Sequence, residues 1–158
     1  MEEPHFHVVL VEPEIPQNTG NIGRLCVGAN CSLHLVQPLG FSLEDRYMKR
    51  AGLDYWKHLE WHLHNSFEEF LEKVNPKHFY FFSKKAAKGY WDVSFQQGDA
   101  LVFGKETLGL PESLIEQYPE KSLKIPMPGK TRSINLANSV AVAVYEGMRQ
   151  LHVSASTD

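Results

Sequence analysis

Three segments of this 158-residue chain combine glycine, proline and small polar side chains where a strand should hand over to a helix. They are EPEIPQNTGNIGR (Glu12 to Arg24), LVFGKETLGLPE (Leu101 to Glu112) and IPMPGKTRSINLANSVAVAVYEGMRQ (Ile125 to Gln150). Main-chain N–H groups exposed at a helix start, next to backbone in unusual shapes, suit gripping a polar ligand. Arg24, on the helix that follows, carries a permanently charged guanidinium that could point toward the strand ends or simply face solvent. Glu106 could accept hydrogen bonds from main-chain N–H groups, and Gly104 could let a flat ring or a peptide group approach the backbone. Ser133 and Asn135 precede the last helix and are favoured capping residues.

Several chemistries are excluded or disfavoured. T-G-N-I-G is not the G-x-G-x-x-G dinucleotide fingerprint, and no G-K-[ST] phosphate loop occurs. His58-x-Glu60-x-His62 is not the H-E-x-x-H zinc motif, so no metal is expected. Cys26 and Cys31 are the only cysteines and suggest buried thiols in a reducing, cytoplasmic setting. The start, MEEPHFH, lacks a basic region of a signal peptide, and no apolar run approaches the ~20 residues of a membrane span. A net charge of −3 gives no global basic footprint, leaving local clusters at Lys49 and Arg50, at Lys84, Lys85 and Lys88, and at Lys130 and Arg132.

The elements that must position these loops follow from periodicity. Phe6 to Val11, Leu33 to Val36, His78 to Phe82, Ala100 to Phe103 and Leu123 to Ile125 read as strands. Lys57 to Leu63 is ambiguous and is taken as a strand. Asn18 or Thr19 is expected to cap a helix through Ile22, Leu25, Cys26 and Ala29. Further helices are expected over Ser42 to Arg50, from the capping box Ser66-x-x-Glu69 to the stop at Asn75-Pro76, and from Pro111 to about Tyr118. Leu136, Val140, Val144, Met148 and Leu151 give the last helix one apolar face. The tail from Val153 is expected to fray. Alternating strands and helices predict a single α/β domain, residues 1–158, with a mostly parallel sheet and its ligand beyond the strands' carboxyl ends.

Taken together, the three segments, with RAGLDYW (Arg50 to Trp56), resemble the SPOUT superfamily of RNA methyltransferases. They are most similar to its TrmL (YibK) group of tRNA wobble-nucleotide 2′-O-methyltransferases. The likeness runs from Val8 to Gln150; Lys105 stands where relatives often carry proline, and the 129–131 loop varies within the group. The resemblance implies a C-terminal trefoil knot over about 78–150 that binds S-adenosylmethionine, with Phe82, Gly104, Ile125 and Ser133 at cofactor-contacting positions. It implies Asn18, Arg24, Glu106, Ser133 and Asn135 as the catalytic set. It also implies a homodimer, with Tyr145 near the interface, acting on a tRNA anticodon arm.

Arginine stays protonated in proteins, so Arg24 is expected to hold an RNA phosphate or the developing alkoxide rather than to act as base. Glu106 is expected to order the loops or Arg24. Tyr47, Tyr55 and Trp56 could offer a stacking platform for bases, with core packing the equal alternative for Trp56. Methylation of ribosomal RNA by the same chemistry and a noncatalytic RNA-binding module are the competing readings.

Overall fold

The computed structural model describes residues 3–44, 55–131 and 133–152. Six strands form one sheet in which every pair is parallel: β1 (Phe6–Val11), β2 (Ser32–Val36), β3 (Trp61–His64), β4 (Phe79–Phe82), β5 (Asp99–Phe103) and β6 (Ser122–Leu123). Their spatial order is β3-β2-β1-β5-β4-β6. The helices are α1 (Pro16–Ala29), α2 (Phe67–Val74), α3 (Glu112–Gln117) and α4 (Leu136–Leu151), with 3-10 turns at Trp56–His58 and Tyr90–Asp92. The order places β1 beside β5, with Leu10 paired to Phe103, so the loops leaving these two strands start side by side. A reversal of strand order of this kind opens a crevice in parallel α/β sheets.

One sheet face packs Val8, Leu10, Leu33 and Leu101 against α1 and α4. The apolar stripe expected on the last helix does this work. Val140 and Val144 are fully buried, while Leu136, Met148 and Leu151 pack at the margin. A Cβ on Gly147 would lie 2.5 Å from the Phe6 ring, so a side chain there would push α4 off β1. On the other face Val9, Val36, Phe81 and Val102 pack against Phe67 and Phe70 of α2. The Ser66 cap forms, its Oγ accepting from the Glu69 N–H at 3.0 Å, while the Glu69 carboxylate accepts from the N–H of Asn65, one residue before the cap, at 3.0 Å. Asn75 ends α2 in the left-handed conformation.

Three expectations need correction. α1 begins at Pro16, with Ile15 as its cap residue, so Asn18 and Thr19 lie inside the helix. Pro16 lacks the N–H that a first-turn residue would leave unsatisfied, which favours that start. The segment from Lys57 to Leu63 divides into a 3-10 turn and the later strand β3. The sixth strand ends at Leu123, one residue short of a bridge between Lys124 and Gly89, so Ile125 lies in the following loop. The helix expected over Ser42 to Arg50 falls largely on 45–54, outside the described residues, as do Arg132 and the tail from Val153. Among the described residues no helix is long and apolar enough to cross a membrane.

A seam of histidines crosses the α2 face. His34 is 1% exposed. Its Nδ1 lies 2.9 Å from His64 Nε2, and its Nε2 lies 3.0 Å from Ser32 Oγ and 3.1 Å from His7 Nδ1. The Phe70 ring stands edge-on to His34 at 4.9 Å. Burial pushes the His34 pKa down to about 2, and desolvation also lowers His7 and His64. Below the unfolded value of 6.5 the unfolded chain therefore binds protons that the folded chain refuses, and stability falls with acidification. For His34 the slope approaches about 1.4 kcal/mol per pH unit. Thermal unfolding between pH 7.5 and 5.5 should show a falling melting temperature, and His34→Gln should flatten that slope.

Candidate functional site

The site is assembled at the carboxyl ends of β1 and β5. Glu12 leaves β1 with a positive φ of 55°, a conformation uncommon for a non-glycine residue, and turns the chain out of the sheet. Its carboxylate lies 3.6 Å from Lys105 Nζ, an ion pair that ties the two loops together. Lys105 also exchanges both main-chain hydrogen bonds with Gly109, which closes the second loop into a tight turn. Gly109, at φ 71°, occupies the left-handed region that favours glycine. Gly104 is needed for a second reason. A Cβ there would stand 2.0 Å from the Gly109 carbonyl carbon. The close approach that Gly104 permits is thus by its own loop's returning backbone.

Glu106 lies at the centre. One carboxylate oxygen accepts from the Glu14 N–H at 2.8 Å. The other accepts from the Ile15 N–H at 2.9 Å and the Asn18 side-chain amide at 3.2 Å. Ile15 makes no side-chain cap of its own, so the start of α1 is satisfied by a carboxylate 91 residues away. A negative charge at a helix N-terminus is also favoured by the helix dipole. Glu14 returns the contact: one of its oxygens accepts from the Thr107 hydroxyl at 2.7 Å and the Thr107 N–H at 3.1 Å. These two donors hold the Glu14 carboxyl below its ordinary pKa.

The chain of contacts continues to the third loop. Asn18 Oδ1 accepts from the Asn135 side-chain amide at 3.2 Å. Asn135 Oδ1 caps α4, accepting from Ala137 N–H at 2.8 Å and Asn138 N–H at 3.4 Å. Glu106, Asn18 and Asn135 therefore form one continuous polar link among all three segments. Ser133 is not part of it. Its carbonyl accepts from the Thr131 hydroxyl, and the residue faces a cleft beside the link.

That cleft is bordered by the four residues expected to meet a cofactor, Phe82, Gly104, Ile125 and Ser133. It encloses about 1030 Å³ of non-protein space, its open mouth included. Phe82 and Phe103 stack in its wall with ring centroids 4.8 Å apart and planes at 11°. Phe103, Met127 and Ile134 also line it and were not anticipated. The only signal for Met127 was its place between two prolines; Phe103 read as an ordinary strand end. The apolar walls, the close-lying backbone at Gly104 and the hydroxyl of Ser133 suit a ligand with a flat ring and polar edges.

Arg24 is not brought to this group. Six residues along α1 from Asn18 advance about 9 Å and rotate about 240°, so the two side chains leave different faces. The Arg24 guanidinium is exposed and sits 4.7 Å above the Tyr55 ring. It is Glu14, Ile15 and Asn18, not Arg24, that Glu106 orders. Trp56 leans on the α1 backbone at Gly23 and on Trp61, with ring centroids 5.5 Å apart, which favours packing for this residue. Tyr47, Lys49 and Arg50 lie outside the described residues. Lys84 and Lys85 both border the cleft, and Lys85 pairs there with Glu112. Among the described residues no three His, Cys, Asp or Glu side chains converge as metal ligands.

Comparison with known proteins places these features. The SpoU rRNA methylase family matches residues 5–145. The tRNA (cytidine(34)-2′-O)-methyltransferase of Escherichia coli K12 is 45% identical over 92% of this chain and 94% of its own. A solved structure described as giving insight into the 2-OH methylation of C/U34 on tRNA is 46% identical. It superposes with a TM-score of 0.88 over 94% of this chain and 97% of its own. The SpoU methyltransferase AviRb of Streptomyces viridochromogenes, solved in complex with the cofactor AdoMet, is 23% identical. It shares the fold at a TM-score of 0.83 over 98% of this chain and 60% of its own. With the family's match spanning nearly its whole length, and with that fold, this chain belongs to the SpoU methylase family.

Proposed function

We propose that this protein transfers the methyl group of S-adenosylmethionine to the ribose 2′-hydroxyl of the wobble cytidine or uridine of a tRNA anticodon. The observation that carries the reading is the link from Glu106 through Asn18 to Asn135, which holds three loops around a cleft bordered by Phe82, Gly104, Ile125 and Ser133. The substrate is taken from the E. coli relative and from the C/U34 structure, both of which this chain matches over more than nine-tenths of its length. A cytoplasmic location accords with a tRNA substrate.

The cleft residues fit the cofactor by their chemistry. Phe82, Phe103 and Ile125 offer apolar surface to an adenine, while the main chain around Gly104 and the Ser133 hydroxyl offer hydrogen bonds to its polar edges. When bound, S-adenosylmethionine supplies an electrophilic methyl group on its sulfonium. With S-adenosylhomocysteine as the leaving group and the 2′-hydroxyl proton passing to an RNA phosphate or to water, the protein's task would be alignment of the 2′-oxygen, and the hydrogen-bonded loops serve that rigidity. Glu106 is a positioning residue, since its oxygens are taken up by two main-chain N–H groups and Asn18.

Arg24 acts as a fixed positive charge, for an RNA phosphate or for the 2′-oxyanion as it forms. Its place beside Tyr55, away from the Glu106 link, fits a homodimer in which the Arg24 of a second copy completes the site. Ile15, Val142 and Tyr145 are large apolar side chains left exposed on α1's start and on α4, and they suit such an interface. The knot expected over about 78–150 is part of the same proposal.

The reading is tested by incubating purified protein with S-adenosylmethionine and unmodified total tRNA, then mapping nucleosides by mass spectrometry. A 2′-O-methylated cytidine or uridine at position 34 is expected. Product only on ribosomal RNA, or cofactor binding without product on either RNA, overturns it. Arg24→Lys should lower kcat/KM at least tenfold without moving the pH profile, because the ammonium lacks the planar fork; near-full activity removes the guanidinium role. Glu106→Gln turns one acceptor into a donor against a main-chain N–H. It should cost about 1–3 kcal/mol in thermal unfolding and lower activity while the limbs of the pH–rate profile stay in place. Loss of a limb would instead mark Glu106 as the base.

A further inference from the structure

Leu108 is 82% exposed, the most exposed of the large apolar side chains among the described residues. An isolated apolar side chain on a surface is ordinary. This one is unusual in how firmly its backbone is held. Residues on both sides of it are fastened: Lys105 and Gly109 exchange two main-chain hydrogen bonds, Glu106 makes three hydrogen bonds, and Thr107 donates twice to Glu14. The leucine borders the cleft beside Glu106 and Gly109. Its side chain buries little within its own protomer, so the loop fixes an apolar group at the cleft mouth that the fold itself does not use.

Resting on the methyl-transfer reading above, we propose that Leu108 is a substrate-contacting residue that packs against the unstacked base of the nucleotide being methylated. The target 2′-oxygen must enter the cleft where the cofactor is held. The base hangs from the same sugar and must then lie at the mouth. An unstacked base exposes an apolar face that gains from contact with a rigid apolar side chain, whatever its hydrogen-bonding edge. This contact would accept cytidine and uridine alike. Lys84, on the border of the same cleft, supplies positive charge for the flanking phosphates, so the mouth matches both parts of a nucleotide.

The test compares Leu108→Ala with the wild type on two anticodon-arm RNAs, one with cytidine at position 34 and one with an abasic ribose there. The variant should raise KM for the intact RNA roughly tenfold, the scale of burying one leucine side chain. On the abasic RNA the two proteins should have equal KM. Leu108→Phe should restore or lower KM for the intact RNA. The dissociation constant for S-adenosylmethionine and the melting temperature should not change. An equal loss on both RNAs, no loss on either, weaker cofactor binding, or conversion to a monomer in sedimentation each overturns the contact; the last would assign Leu108 to the interface between copies. A wild type that methylates neither RNA overturns the methyl-transfer reading and this contact with it.

Discussion

The Glu106 carboxylate is the constraint on which the site's architecture rests. It satisfies the main-chain N–H groups of Glu14 and Ile15 at the start of α1 and holds the Asn18 amide. Hydrogen bonds to an ionised carboxylate are stronger than neutral ones, and a start of α1 left without this acceptor would carry unsatisfied donors. Because Asn18 passes the connection on to Asn135, the cap of α4 depends on the same group. Three loops far apart in sequence thus behave as one rigid rim. That rigidity suits the proposed methyl transfer, which needs an aligned approach of the 2′-oxygen.

The sheet makes this rim possible. Parallel strands buried on both faces leave all their carboxyl ends on one side, and the adjacency of β1 and β5 brings the first two loops together. The second face carries an unexpected polar seam. His7, Ser32, His34 and His64 hydrogen-bond to one another beneath Phe70 in an otherwise apolar layer, with the buried His64 Nδ1 left without a partner. Burial disfavours the charged form of these imidazoles, which makes the stability of the β1-β2-β3 half of the sheet sensitive to acid.

Much of the local structure was legible. The strand Phe6–Val11, the capping box at Ser66 and the stop at Asn75 are written in β-branched runs and cap residues whose preferences act over a few positions. The start of α1 was misread for the opposite reason. Asn18 looks like a local cap, but the acceptor that satisfies the helix start comes from Glu106, and Asn18 serves as the connection between that carboxylate and Asn135. Trp56 could not be assigned between stacking platform and packing until Gly23 and Trp61 were seen beside it. The four cofactor positions came from resemblance to a family, and they do share one cleft.

By itself the amino-acid sequence determined the type of most of the described elements, the alternation that points to a mostly parallel α/β sheet, and the three loops with their glycines, prolines and small polar side chains. Those are local properties, set by backbone sterics, side-chain periodicity and caps. Only the tertiary structure decided which loops touch, that Gly104 yields to the backbone of Gly109, that Arg24 turns away toward Tyr55, and that Leu108 is held exposed at the cleft mouth. These depend on strand order and on contacts between residues some ninety positions apart, such as Glu106 with Ile15. No local preference encodes such contacts, because their energy exists only once the chain has closed on itself.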